Sequence, residues 1–158
     1  MSASELTSTP SSTRTPRRVA EAPAERGLLD TSVVIDLDRI DPAQLPAELA
    51  ISAVTLAELA SGPHAATDSS ARAERQDRLQ RIESGIESLP FDDSCARAYG
   101  RVYAATAGAG RKPRGPRVLD LQIAATAIAN ALPLYTRNAA DFRHLDDLLE
   151  IVDVDRRP

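Results

Sequence analysis

Aromatic side chains are scarce: Phe and Tyr together make up 3% of the 158 residues, and Trp is absent. The core must then be aliphatic, and stacking of bases on aromatic rings cannot dominate any contact with nucleic acid. Cysteine occurs once, at Cys95. That excludes an internal disulfide framework and fits the reducing cytoplasm. A lone Cys in an Ala-rich stretch reads as a small helical residue rather than a nucleophile. No apolar run approaches the roughly 18 residues of a membrane-crossing helix, and the N-terminus lacks the apolar core of a signal peptide. The two histidines, His64 and His144, are far from any paired Ser or Cys, so no nucleophile–base pair is evident. The net charge of −4 and pI near 5.2 argue against a general, sequence-indifferent binder of nucleic acid.

What is present suffices for one domain with a real core, since 42% of the chain is hydrophobic. Residues 1–26 are rich in Ser, Thr, Pro, Ala and Arg, with Pro10, Pro16 and Pro23 interrupting any helix. They read as a disordered tail, and 27–158 as the folded domain. From Gly27 the pattern alternates. Gly27 to Asp30 reads as a short buried strand and Val33 to Leu37 as the start of a helix. Leu49 to Ala53 is a second strand, followed by a helix through Glu58 that Gly62-Pro63 stops. A polar amphipathic helix is expected over 65–84, then a strand near Leu89, a helix capped by Asp92 or Asp93, and an apolar helix over 118–132. Strands at 133–136 and 151–154 complete the series. Strands alternating with helices predict an α/β fold with a mostly parallel sheet covered on both faces.

Within that frame the acids carry the chemistry. Asp30 closes the apolar run Gly27-Leu28-Leu29, Glu58 lies in Thr55-Leu56-Ala57-Glu58-Leu59, and Asp120 opens Asp120-Leu121-Gln122-Ile123-Ala124. An acid among apolar neighbours is costly to bury unless something positive meets it. Acids gathered together repel unless a hard cation lies between them, which points to Mg²⁺ and phosphate-ester chemistry. In an open parallel sheet, ligands collect beyond the carboxyl ends of the strands, and these acids occupy such positions. Each also has a purely structural reading. Thr55-x-x-Glu58 is a capping-box pattern, Asp120 suits the positive end of a helix dipole, and Asp141 can cap a short helix.

A second feature adjoins the third acid. No Asp or Glu occurs from Ser94 to Leu119, a stretch that carries Arg97, Arg101, Arg111, Lys112, Arg114 and Arg117. Arg111, Lys112, Arg114 and Arg117 could hold a negatively charged backbone as it approaches Asp120. The alternative is a solvated surface loop.

The blocks Leu28-Leu29-Asp30-Thr31-Ser32-Val33-Val34-Ile35, Thr55-Leu56-Ala57-Glu58-Leu59, Asp120-Leu121-Gln122-Ile123-Ala124-Ala125-Thr126-Ala127 and Leu132-Pro133-Leu134-Tyr135-Thr136-Arg137-Asn138, with Asp141-Phe142, occur in this order. Together they resemble a PIN domain, and most of all the VapC toxins of type II toxin–antitoxin modules. The resemblance spans about 27–154. It implies a three-layer α/β/α sandwich around a parallel sheet and a Mg²⁺- or Mn²⁺-dependent endoribonuclease. Asp30, Glu58 and Asp120 match the family's first three acids, and Ser32 and Thr136 the small polar residues that support them. Where many members have a fourth Asp this chain has Asn138, which can coordinate through its carbonyl oxygen but adds no charge. Asp141, three residues on, can supply the carboxylate instead.

The resemblance further implies a VapB-like antitoxin, a homodimer, and an RNA substrate, either tRNA or rRNA. Hydrolysis by an external water would leave a 3′-hydroxyl and a 5′-phosphate. Two other classes stay in view. One is a catalytically silent PIN fold acting as a binding module, which Asn138 favours. The other is a phosphoaspartate phosphatase or receiver with Asp30 as acceptor, against which the acid two residues on is missing.

Overall fold

The computed structural model describes residues 23–158. The tail expected over residues 1–26 thus lies mainly outside the described residues. Its last residue, Arg26, is in the sheet: β1 spans Arg26–Leu29. Glu25 accepts a backbone bond from Glu48, and the Ala24 N–H donates to the Tyr135 hydroxyl. Gly27 is required here, because a Cβ on it would collide with the Tyr135 ring.

Five strands, β1, β2 (Glu48–Ser52), β3 (Glu87–Leu89), β4 (Leu134–Thr136) and β5 (Ile151–Asp153), form one sheet in the order β3-β2-β1-β4-β5. Every pairing between them is parallel. The chain builds outward from β1 to β3 on one side, then returns to β4 and β5 on the other. The strand order therefore reverses at β1, the place where open α/β sheets offer a crevice.

The pleat sorts the strand residues into two cores. Leu28, Ala50 and Leu134 are register partners on one face and pack against α4 (Asp93–Gly108) and α5 (Arg117–Ala129). Leu29, Ile51 and Tyr135 are partners on the other, beneath Val33 and Val34 of α1 (Thr31–Ile35) and Leu79 and Ile82 of α3 (Ser69–Gly85). The result is the parallel sheet covered on both faces that the alternating pattern predicted, and the three-layer α/β/α sandwich that the resemblance implied. Among the described residues no helix is long and apolar enough to cross a membrane.

Most boundaries shift by one to three residues, and two differences bear on local structure near the acids. The polar helix begins at Ser69, not near residue 65, because the Asp68 carboxylate accepts from Ala71 N at 2.8 Å and caps it there. The helix α2 (Ala53–Ser61) is capped by Ser52, whose hydroxyl accepts from Thr55 N at 3.0 Å. The expected capping box of Thr55 with Glu58 is therefore absent. Thr55 is the third helical residue, and Glu58 is released from any capping duty.

Candidate active site

Asp30 leaves β1 and becomes the N-cap of α1, with Oδ1 accepting from Val33 N at 3.1 Å. Ser32 Oγ donates to the same oxygen at 2.6 Å, and Thr136 Oγ1 donates to Oδ2 at 2.5 Å. The residue is only 4% exposed. Burial pushes its pKa above the ordinary aspartate value, although the bonds from Ser32, Thr136 and Val33 oppose that shift. Oδ1 thus accepts two bonds and Oδ2 one, which leaves a lone pair of Oδ2 for a cation. Ser32 and Thr136 are themselves held from the other side: Arg137 N donates to Ser32 Oγ at 3.1 Å and Asn138 N to Thr136 Oγ1 at 3.0 Å. Their hydroxyl protons are thereby left for Asp30.

Glu58 reaches back from the second turn of α2 to accept from Thr31 Oγ1, the residue next to Asp30. It is half-buried and lines two clefts. One, of about 400 Å³, has walls from Ala53, Val54, Ala57 and Leu119. The other, of about 390 Å³, runs past Ile35, Arg75 and Arg78.

Asp120 lies in the first turn of α5 and is open to solvent on one side. Its pKa is pushed up to about 6, first by the protein that displaces water around it and then by the charges of Asp30, Glu58 and Asp141, with Arg117 pulling the other way. Asp30, Glu58 and Asp141 follow the carboxyl ends of β1, β2 and β4, and Asp120 shares a cleft with Asp141.

Asp141 belongs to the short helix α6 (Ala139–Phe142), and the N-cap of that helix is Asn138. The capping role that the sequence allowed for Asp141 is therefore not the one it has. It faces Asp120 across a cleft of about 340 Å³, walled by Arg114, Pro116, Arg117 and Phe142. Asn138 is exposed, its side chain caps nothing, and it does not line that cleft.

None of Asp30, Glu58, Asp120 and Asp141 forms an ion pair among the described residues. In their present side-chain positions no three His, Cys, Asp or Glu among the described residues stand close enough to hold one metal ion. The donor set nevertheless suits a hard divalent cation: its ligands are oxygens, negative charge is in excess, and none of the acids is salt-bridged among the described residues. Glu58 is turned towards Thr31, whose hydroxyl it accepts from.

The basic residues divide. Arg114 and Arg117 wall the cleft, and Lys112 is exposed. Arg111 donates to the Asp141 carbonyl at 2.7 Å and Arg117 to the Lys112 carbonyl at 3.2 Å, so two of the three guanidiniums also brace the loop. His144 Nε2 is 2.9 Å from Thr106 Oγ1, and burial, then Arg111 and Arg117, push its pKa down. His64 lines a different cleft with Arg72 and Gln76.

The sequence reading missed Asp36. It is buried, and Arg137 and Arg156 both bind its Oδ2, Arg156 through Nη2 at 2.7 Å. Burial alone would raise its pKa, but the Arg156 hydrogen bond and the charges of Arg137, Arg156 and Arg39 hold it below the usual range. This knot anchors the loop after β4, and with it the backbone N–H that fixes Ser32. The only sequence signal was an Asp at the end of an apolar helix.

Comparison with known proteins agrees with this architecture. The PIN domain family model matches residues 27–148. Ribonuclease VapC5 of Mycobacterium tuberculosis is 41% identical over 123 residues, which cover 76% of this chain and 87% of the relative. Among solved structures, VapBC-5 from Mycobacterium tuberculosis, a member of the VapBC family of toxin–antitoxin systems, superposes with a TM-score of 0.73 at 40% identity, covering 82% of this chain and 99% of that one. VapBC-1 from nontypeable Haemophilus influenzae superposes with a TM-score of 0.65 at 25% identity, covering 81% and 97%.

Proposed function

The chain belongs to the PIN domain family, and from that premise we propose that it is the toxin of a type II toxin–antitoxin module, a metal-dependent endoribonuclease. The observation that carries the reading is the set of four acids beyond the carboxyl ends of a parallel sheet, none of them ion-paired among the described residues, with Asp120 and Asp141 on one cleft. Such a set is costly without a cation and useful with one. The similarity to ribonuclease VapC5 and to VapBC-5 supports the substrate class and the partner.

Asp30 and Asp120 would hold Mg²⁺ or Mn²⁺, with Glu58 completing the set and Asp141 taking the fourth position in place of Asn138. The bound ion would supply a more acidic water and a counter-charge for the phosphorane oxygens. Asp30, locked by Ser32 and Thr136, is the fixed point of the site. Glu58 orients the attacking water and accepts its proton. Arg114 and Arg117, with Lys112 and Arg111 behind them, steer the RNA phosphates into the cleft beside Asp120. The apolar wall of Ala53, Val54, Ala57 and Leu119 beside Glu58 suits a helix of a VapB-like antitoxin, and an arginine from that partner would pair with the acids. The toxin would act in the cytoplasm as a homodimer on tRNA or rRNA.

The test is to induce the chain with and without the protein encoded beside it and map the RNA ends. Growth arrest with new 5′-phosphate and 3′-hydroxyl ends, relieved by the neighbour, is expected. RNA left uncut by the metal-loaded protein would instead favour the silent binding module.

A further inference from the structure

Two fully buried hydroxyls, Ser52 and Thr55, lie beneath the acids without being part of them. Ser52 Oγ accepts from Thr55 N at 3.0 Å and lies 3.1 Å from Thr55 Oγ1. Thr55 Oγ1 in turn lies 3.4 Å from Thr31 Oγ1, which donates to Glu58 Oε2. We infer that Ser52, Thr55 and Thr31 form a one-way chain of hydroxyl hydrogen bonds that holds Glu58 by Oε2 and presents its other oxygen to the cleft. Thr31 is thus the positioning residue for Glu58.

The direction follows from counting protons. A hydroxyl has one proton to give. That of Thr31 goes to the carboxylate, the stronger acceptor. Thr55 must then donate to Thr31, and Ser52, whose oxygen already accepts from a backbone N–H, donates to Thr55. In this order every buried hydroxyl both gives and receives, and each bond polarises the next towards Glu58. The opposite order would leave the Ser52 proton without an acceptor among the described residues, at a cost of about 1–3 kcal/mol. Glu58 Oε1 receives no hydrogen bond among the described residues and is free to face a ligand.

The chain also joins two elements. Ser52 and Thr55 belong to the β2–α2 junction, and Thr31 follows Asp30 on the β1–α1 junction. The second acid is therefore positioned by the backbone turn that positions the first. The catalytic consequence rests on the nuclease reading, whereas the positioning itself does not.

The decisive comparison is Thr31→Val, which keeps the shape and removes the donor, with Thr31→Ser, which keeps the donor. Loss of such supporting bonds typically costs 10–100-fold in metal affinity or activity. Calorimetric titration with Mn²⁺ should show Thr31→Val binding about tenfold more weakly. Its kcat for RNA should fall by about 10–100-fold with KM changed less than about twofold, and Thr31→Ser should recover most of both losses. A crystal structure of Thr31→Val should show the Glu58 carboxylate moved from its place. An unmoved Glu58, wild-type Mn²⁺ affinity in Thr31→Val, or a Thr31→Ser as impaired as Thr31→Val would overturn the inference. If the wild type neither bound Mn²⁺ nor cut RNA, the nuclease reading would fall, and the position of Glu58 in the Thr31→Val structure would still decide this claim.

Discussion

Thr136 donates its hydroxyl proton to Asp30 across 106 residues of chain. That bond joins the end of β4 to the end of β1, the two neighbours at the switch point, and makes the first acid a property of the whole sheet. Replacing Thr136 by Val removes the donor but keeps the β-branched shape that the strand prefers. Activity should fall about 10–100-fold. Urea unfolding at pH 7 should show a loss of about 1–3 kcal/mol, since Asp30 then has one buried oxygen unsatisfied.

The Asp36 knot should govern acid stability. A carboxylate held below its ordinary pKa contributes stability that is present above the unfolded value and is lost as pH falls through the folded one. Asp36→Asn should therefore destabilise the protein at pH 7, by about 1–3 kcal/mol, less than for a fully buried pair because the Arg156 side chain is 46% exposed. The deficit should shrink once pH drops below the ordinary value of 3.8. Denaturant titrations at pH 7 and pH 3 measure it, and a deficit equal at both would exclude the charge as its cause.

Asp120 predicts the opposite sign. Its pKa is raised from 3.8 to about 6, so its contribution is fully present below 3.8 and is lost as pH rises through about 6. In metal-free protein Asp120→Asn should melt with the wild type near pH 4 and a few degrees above it at pH 7. The gain is small because Asp120 is exposed and solvent screens it. Added Mg²⁺ should reverse the order, since only the wild type keeps the full ligand set.

The alternation of short aliphatic strands with helices was legible from sequence, because parallel strands buried on both faces read as Leu28-Leu29 or Leu134-Tyr135 does. The junction acids were legible for a related reason: charge in an apolar setting needs a cause. The α2 cap was misread because Ser52 and Thr55 stand three apart, as do Thr55 and Glu58, and spacing alone cannot say which hydroxyl lies outside the helix. The Asp36 knot was invisible, since its partners lie 101 and 120 residues away. The sequence left Asn138 and Asp141 both open for the fourth position, and only the fold shows that Asp141 alone shares a cleft with Asp120.

That choice can be measured. Asp141→Asn should lower kcat by about tenfold or more, and Asn138→Ala by less than about threefold, because only Asp141 adds charge to the cleft. The reverse order of effects would assign the fourth position to Asn138.

For the basic loop, Lys112 and Arg114 are the clean targets, since Arg111 and Arg117 also brace the backbone. The double Ala variant should bind single-stranded RNA more weakly and reduce the slope of log K against log salt by about 1.4, or about 0.7 for each lost phosphate contact. Cleavage by saturating enzyme should persist. An unchanged slope would move the RNA track to Arg75 and Arg78, across the acids on α3.

Cleavage of RNA by the purified chain in Mg²⁺, compared with that by Asp30→Asn and Asp120→Asn, addresses the site itself. Each substitution keeps shape and removes one charge from the acid set. The account predicts a loss of about 100-fold or more in each variant, equivalent to about 2.7 kcal/mol of transition-state stabilisation, with an unchanged circular dichroism spectrum. Cleavage at the wild-type rate by either variant would contradict it.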